Sequence, residues 1–448
     1  MALEGQSSLV FERVFDYAVA MDHPAFRTAD LVGWVDALSM LASDVPDCER
    51  IDRLRLLEDA KNAICAAQAR EAVALKASVV AAEQARGVPA DKRGRGVAAQ
   101  VALARRQSPH RGGRLVGLAE ALVYELPETM AALTRGVIGE WQATLVCRET
   151  ACLSREDRAE VDRRMAAELA SLSDRQLVAT ALGHACQLDP RSVVERAGRA
   201  EADRRVTLRP APDTMAILSA TLPVAQAVAV WAALVRAAET ARAGGDGRSR
   251  GQVMADTLVT RCTGQAQAEQ VPVEVQLVMT DQALLWAGNS PVELPGYGPV
   301  PAEHARRLLA NSEAPVWLRR LYARPRTGQL VAMESRRRLF PEGLRQFLTT
   351  RDRFCRTPWC GAPIRHADHV TPAAAGGPTS ASNGQGLCER CNQTKEVAGW
   401  RATPGRDGTI VITTPTGHTY RSKPPPVAGH TRPVHLDIQF QIPAAHVA

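Results

Sequence analysis

With 448 residues, 45% hydrophobic and 23% charged, the chain can bury two or three cores and has the composition of a soluble globular protein, not a disordered one. Aromatic residues are only 4% of the total, so alanine, leucine and valine carry the burial, which favours helices over sandwiches or barrels. A formal charge of +7 and a pI near 9.0 are mild evidence for a polyanionic partner.

The first residues, MALEGQSSLVFERVF, put no basic flank before an apolar run, so a secretory signal is not expected and the chain is expected in the cytoplasm. No stretch approaches about 18 uninterrupted apolar residues, so no membrane-spanning helix is expected. Pro24, Thr28 and Asp30 suggest the start of a helix over 31–43. From Glu49 to Arg86, apolar residues recur at three and four (Ile51, Leu54, Leu57, Ala60, Ile64, Ala67), the spacing of one long helix. Gly87, Pro89 and DKRGRG break it. Helices follow over 97–107 and, after Gly112–Gly113, over 114–125. Another runs from Pro127 to Gly136, and the next over 138–152. Ser154 and Ser173 read as N-caps of two more, and Asp189–Pro190 opens a further helix rich in charge.

The period then changes. RVTLRP (205–210), TMAILSA (214–220) and VPVEVQLVMT (271–280) read as strands, with helices over 223–243 and 251–262 between them. Residues 288–300 are loop-rich, 301–310 helical, and Leu318 to Met333 a hairpin. Residues 335–356 hold seven arginines against Glu342 and Asp352, with Phe340, Phe347 and Phe354 interleaved. This is either a helix with a solvated basic face and a phenylalanine core face, or a phosphate-contacting approach through Arg351, Arg353 and Arg356. After Trp400 come a short hairpin and, from Lys423, a loosely attached tail.

Of ten cysteines, Cys48, Cys65, Cys147, Cys152, Cys186 and Cys262 are scattered through helical text and read as buried free thiols. The other four cluster. Cys355-x4-Cys360 and Cys388-x2-Cys391, 27 residues apart, have the spacing that lets four thiolates close on one tetrahedral Zn²⁺. A site saturated by four thiolates has no open position, so this metal folds the segment and does not catalyse. Between the pairs lies Ala367-Asp368-His369-Val370-Thr371-Pro372. Adjacent strand residues point to opposite faces, which suits a division of labour: one side chain for a hard cation, the other for a water molecule. Asn392 and Lys395 fall near the start of a terminal helix.

The ordered set C-x4-C, D-H-V-x-P, G-G-P-T, N, C-x2-C-N-x2-K resembles the HNH endonuclease module, the ββα-metal nuclease fold, over about 345–402. The resemblance implies that Asp368 and Asn392 hold one divalent cation, Mg²⁺ or Mn²⁺. It further implies that His369 is the general base and that Asn383 braces the loop orienting it. In-line attack on DNA would leave a 5′-phosphate and a 3′-hydroxyl, with Arg365 and Lys395 to neutralise phosphate charge. Related modules often read His-His at 368–369 and His at 392. Gly384 and Gly386 depart from the apolar residues many such modules carry, and glycine in a strand supplies no packing. His366 has no counterpart and reads as a bystander.

Upstream, ELPETMAALTRGVIGEWQATLV and ADRRVTLRPAPDTMAILSATLP resemble the helical domain of unknown function that precedes HNH modules in many bacterial proteins, over about 30–330. It adds an architecture and no activity. The expected organisation is a mainly helical domain with a small sheet over 30–335, a zinc-stapled ββα nuclease module over 345–402, and a short hairpin with a flexible tail over 403–448. The expected function is a metal-dependent DNA endonuclease acting as a homodimer or by two nicks. The alternative is a zinc-stabilised nucleic-acid-binding protein with a degenerate centre.

Overall fold

The computed structural model describes residues 27–264, 277–285, 288–294, 297–310 and 340–426. It falls into two compact units, residues 1–61 and 62–448. In the first, helix α1 (Thr28–Leu38) is followed by the start of α2 (Asp47–Ala85). The turn between them is tied by Arg50 and Arg53, whose guanidinium groups donate to the Ser43 and Ala42 carbonyls at 2.7 Å each.

The second unit is built on α2 and seven shorter helices. These are α3 (Val97–Ala104), α4 (Pro109–Tyr124), α5 (Pro127–Thr134), α6 (Glu140–Thr150), α7 (Arg155–Met165), α8 (Asp174–Leu188) and α9 (Pro190–Ala202). Prolines at the first position of α4, α5 and α9 satisfy the rule that an absent N–H costs nothing there. Ser154 caps α7 by accepting from the Asp157 N–H at 3.1 Å, as its spacing predicts. Leu122, Leu126, Leu133, Ile138, Val146, Met165, Leu169 and Leu177 fill the main core. Buried Asp162 on α7 caps α5 from outside it, accepting from the Glu128 and Thr129 N–H groups at 2.6 and 3.0 Å. Burial pushes its carboxyl up from the ordinary aspartate range, opposed by those donors.

Gly112–Gly113, read as a break before a helix, lies inside α4. The reason is packing: a Cβ on Gly112 would sit 2.4 Å from the Ala98 carbonyl and 2.5 Å from Ala102 Cβ, so glycine lets α3 and α4 touch backbone to backbone.

The predicted strand pair is an antiparallel hairpin, β1 (Arg205–Ala211) and β2 (Met215–Thr221), in register Arg205 opposite Thr221. Helices α10 (Val224–Ala243) and α11 (Arg250–Thr263) follow and pack together. By length and composition alone α10 is long and apolar enough to cross a membrane, against the expectation that no helix is, although Arg236, Glu239 and Arg242 interrupt its second half. A small core of Val292, Val300, Ala302 and Ala305 joins a second hairpin, β3 (Val292–Leu294) with β4 (Gly298–Val300), to the neighbouring helix Ala302–Ala310. Of the expected strand over 271–280, residues 271–276 lie outside the described residues, and Val278 makes only a bridge to Glu293. The hairpin expected over 318–333 and the tail from 427 also lie outside them. Three of the scattered cysteines, Cys48, Cys186 and Cys262, are exposed, not buried, because they sit on the outer faces of their helices.

Candidate active site and metal centre

Helix α12 (Glu342–Asp352) leads into the C-terminal module and packs Leu344 and Leu348 inward. Two strands, β5 (His366–His369) and β6 (Gly384–Leu387), pair antiparallel with Asp368 opposite Gln385 and His369 opposite Gly384. The short helix α13 (Glu389–Lys395) follows, and Cys388 caps it. The order is β-β-α.

The four clustered cysteines converge, with ligand atoms within 4.8 Å of one another. Cys360 Sγ lies 3.7 Å from Cys388 Sγ and 3.8 Å from Cys391 Sγ. A tetrahedral ion with bonds of about 2.3 Å requires sulfur separations of about 3.8 Å, so the cluster has the size of a zinc site. Hydrogen bonds from Cys360 and Cys391 hold the Cys355 thiol down, at about 2. Hydrogen bonding to Cys355 in turn pushes Cys360 up to about 12 and raises Cys391. Four sulfur ligands this close together are a donor set that a single divalent ion can satisfy.

Asp368 and His369 divide between two environments, as alternation requires. Asp368 Oδ2 accepts from Lys395 Nζ at 2.6 Å and from Gln385 Nε2 at 3.2 Å. Lys395 Nζ also donates to the His369 carbonyl at 2.7 Å. Two hard oxygens thus converge on one cationic point, a donor set of the kind Mg²⁺ or Mn²⁺ accepts. His369 lies instead against Phe340, ring centroids 4.6 Å apart, with Nε2 2.9 Å from Thr379 Oγ1. Asn392 sits half-buried on α13, one turn before Lys395.

Asn383 is buried and cross-links the loop after His369. Its Oδ1 accepts from the Thr371 N–H at 2.8 Å, and its Nδ2 donates to the Thr371 and Pro378 carbonyls at 3.0 and 2.9 Å. The two unexpected glycines are explained here. A Cβ on Gly384 would meet Leu348 and Phe340 at 2.8 Å, and one on Gly386 would meet Ile364 at 2.4 Å. They supply no side chain because neighbouring side chains occupy that space; Phe340 reaches His369 across the gap at Gly384.

The basic approach needs correction at two arginines. Arg351 and Arg356 are 9% and 3% exposed and serve a buried ionic knot, not phosphate. Asp352 Oδ1 accepts from Arg351 Nε at 2.7 Å and Arg356 Nη1 at 3.0 Å. Its Oδ2 accepts from Arg351 Nη2 at 2.9 Å and the Gly386 N–H at 2.8 Å. Arg351 also donates to the Gly384 carbonyl, and Arg356 to Ser422 and the Gly408 carbonyl. Burial lowers the Arg356 pKa, with Asp352 opposing. Arg353 pairs with Glu293 at 3.0 Å. Arg365 alone of the five predicted phosphate-contacting cations is exposed, and only its backbone groups are engaged by described residues. His366 is likewise exposed. Asp352, Thr379, Gln385 and Phe340 were missed by sequence reasoning. A lone acid set between arginines and a threonine in GGPT were the signals available.

The segment after Trp400 is a three-stranded sheet, β7 (Arg401–Pro404), β8 (Ile410–Thr413) and β9 (Thr419–Ser422), one strand more than the expected hairpin. Arg356 pins it to the module. On the other side, the module docks on the helical region: Arg390 Nη1 donates to the Pro109 carbonyl at 2.8 Å, and its guanidinium covers Gly113, where a Cβ would lie 3.1 Å away. Thr416 Oγ1 donates to Gln100 Oε1 at 2.9 Å.

Residues 355–397 match the HNH endonuclease family, and residues 59–352 match a domain of unknown function, DUF222. Over 84 residues the chain is 40% identical to the uncharacterized protein Rv3776 of Mycobacterium tuberculosis, 18% of this chain and 16% of that protein. It is 38% identical to the uncharacterized protein Rv2100 of the same organism over 84 residues, 18% of this chain and 15% of that protein. The aligned stretch thus spans about a sixth of the length of these relatives. No solved structure matches. The chain belongs to the DUF222 family and carries an HNH endonuclease domain at its C-terminal side.

Proposed function

We propose that this chain is a metal-dependent endonuclease that hydrolyses DNA phosphodiester bonds, leaving a 5′-phosphate and a 3′-hydroxyl. The observation that carries the reading is the Asp368-His369 strand, paired with Gly384–Leu387, braced by Asn383 and stapled by four thiols, inside the segment that matches the HNH family. His369 is the general base. His369 Nε2 lies 2.9 Å from Thr379 Oγ1, and imidazole is the side chain whose ordinary proton affinity suits it to take a proton from water. Phe340 and Thr379 hold the ring, and Asn383 holds the loop that follows it, so the base does not reorganise during attack. Asp368 and Asn392 hold one Mg²⁺ or Mn²⁺, which when bound supplies charge stabilisation to the scissile phosphate and the departing 3′ oxygen. Arg365 and Lys395 meet phosphate. Zn²⁺ in the four-thiolate cluster is structural. The chain acts in the cytoplasm, and a homodimer or two successive nicks would sever both strands.

A binding protein with a degenerate centre is favoured less, because the glycines that suggested degeneracy fit close packing at both positions. Supercoiled plasmid incubated with the pure protein and Mg²⁺ or Mn²⁺, beside His369→Ala, tests the proposal. Nicking by the wild type alone is expected. Equal nicking by both preparations would overturn the role of His369, and salt-sensitive DNA retention without any nicking would favour the binding protein.

A further inference from the structure

Lys395 closes the last turn of α13, where its expected task was to meet phosphate. Its side chain is instead 11% exposed, with the ammonium 2.6 Å from Asp368 Oδ2 and 2.7 Å from the His369 carbonyl. The partner carboxylate is itself 18% exposed, and Gln385 reaches the same oxygen from the facing strand. This is not a loose surface pair. A compact, three-donor point charge sits against the carboxylate that the proposed function assigns to a divalent cation.

An ammonium and a divalent ion on the same carboxylate oxygen repel each other strongly in a half-buried site. Lys395 must therefore swing away before Asp368 can bind metal, and its charge, left beside the exposed Glu396 carboxylate 3.5 Å away, gains from a stronger partner. A DNA phosphate supplies one, through a charge-assisted hydrogen bond. We propose that Lys395 is a built-in placeholder: it holds the cation position on Asp368 until substrate phosphate draws it off, so that divalent cation and DNA bind cooperatively. The inference rests on Asp368 being the metal-holding carboxylate. Two consequences follow from mass action. The apparent metal affinity of the free protein is reduced by the fraction of molecules in which Asp368 is released. Metal and DNA also tighten each other by the same factor.

The test measures Mn²⁺ binding to the full chain from the EPR signal of free Mn²⁺, with and without a short phosphorothioate DNA duplex. Wild type is expected to bind Mn²⁺ weakly alone and more tightly with the duplex. Lys395→Met is expected to bind Mn²⁺ about tenfold or more tightly without DNA, the gain for a placeholder engaged at least about nine-tenths of the time, and to respond less to the duplex than the wild type does. Lys395→Arg, which keeps the charge, is expected to stay weak. Zinc content and far-UV circular dichroism establish that each variant is folded. A folded Lys395→Met that binds Mn²⁺ no more tightly than wild type, or a Lys395→Arg as tight as the methionine variant, overturns the placeholder alone. Mn²⁺ binding unchanged in Asp368→Asn, or absent from every variant with the duplex present, overturns the assignment of Asp368 and the placeholder with it.

Discussion

Alanine placed at Gly377 should damage the loop behind His369 more than alanine at Gly376, although Gly376 has the conformation usually taken as the reason for a glycine. Gly376 has φ +82° but nothing lies within 4 Å of a Cβ there, so Gly376→Ala costs only the left-handed backbone penalty, about 1–2 kcal/mol. At Gly377 the Cβ would lie 1.9 Å from the Thr371 carbonyl oxygen and 2.8 Å from Asn383 Nδ2. To reach an ordinary contact, the carbonyl must retreat by about 1 Å, which breaks its 3.0 Å hydrogen bond from Asn383. Overpacking costs about 1–3 kcal/mol, and the lost bond to a buried amide about 1–3 kcal/mol more. The expected total is about 2–6 kcal/mol, concentrated in residues 366–387. Hydrogen exchange of peptides covering that segment, read by mass spectrometry on the full chain, measures it directly. A larger loss of protection in Gly376→Ala, or unchanged protection in Gly377→Ala, would refute the packing argument.

Arg365→Ala is expected to weaken DNA binding and reduce the salt slope by about one phosphate's worth, whereas Arg356→Met is expected to destabilise the module by about 1–3 kcal/mol, because Asp352 keeps Arg351 but loses a charged donor, as do Ser422 and the Gly408 carbonyl. Binding titrations at several salt concentrations, beside urea unfolding, separate the two. Cys391→Ser should lose the roughly one zinc carried per chain; full zinc content by metal analysis would contradict the cluster. Burial raises the Glu149 pKa, but hydrogen bonds from Arg196 and Arg148 outweigh it and leave it below the ordinary 4.5. Its stabilisation is therefore present above that pH and is lost as pH falls through the depressed value. Glu149→Gln should lower the melting temperature at pH 7 and make progressively less difference as acidity increases below pH 4.5. A difference that grows in acid would reverse the sign of this argument.

The helices were legible because their punctuation is local: Ser154, Ser173 and Asp189–Pro190 each open a helix where a cap or a fixed φ is needed. The thiol pairs were legible because four ligands for one ion need narrow spacing, and the Asp368–His369–Asn383 order was legible through its resemblance to the HNH module. What could not be read depends on partners distant in sequence. Gly112 looks like a helix breaker until Ala98 and Ala102 lie against it. Arg351 and Arg356 look like a basic face until Asp352 turns them inward. Lys395 has the character of a phosphate ligand in the sequence, and only the fold brings Asp368 within its reach.

The knot around Asp352 gives the nuclease module a second fastening, made of charges and backbone groups, beside the one made of sulfur. The thiols tie the loop carrying Cys355 and Cys360 to the start of α13, whereas Asp352 and Arg356 tie α12, β6 and the terminal sheet together. The two fastenings fail under different chemistry. An oxidant acts on the thiols, and a chelator on an ion they would hold, whereas neither touches the hydrogen bonds of the ionic knot. A fragment cut after Lys395 would keep every thiol and every proposed catalytic residue yet leave Arg356 without Ser422 and Gly408. The intact module therefore extends through Ser422, beyond the last residue with any assigned chemistry.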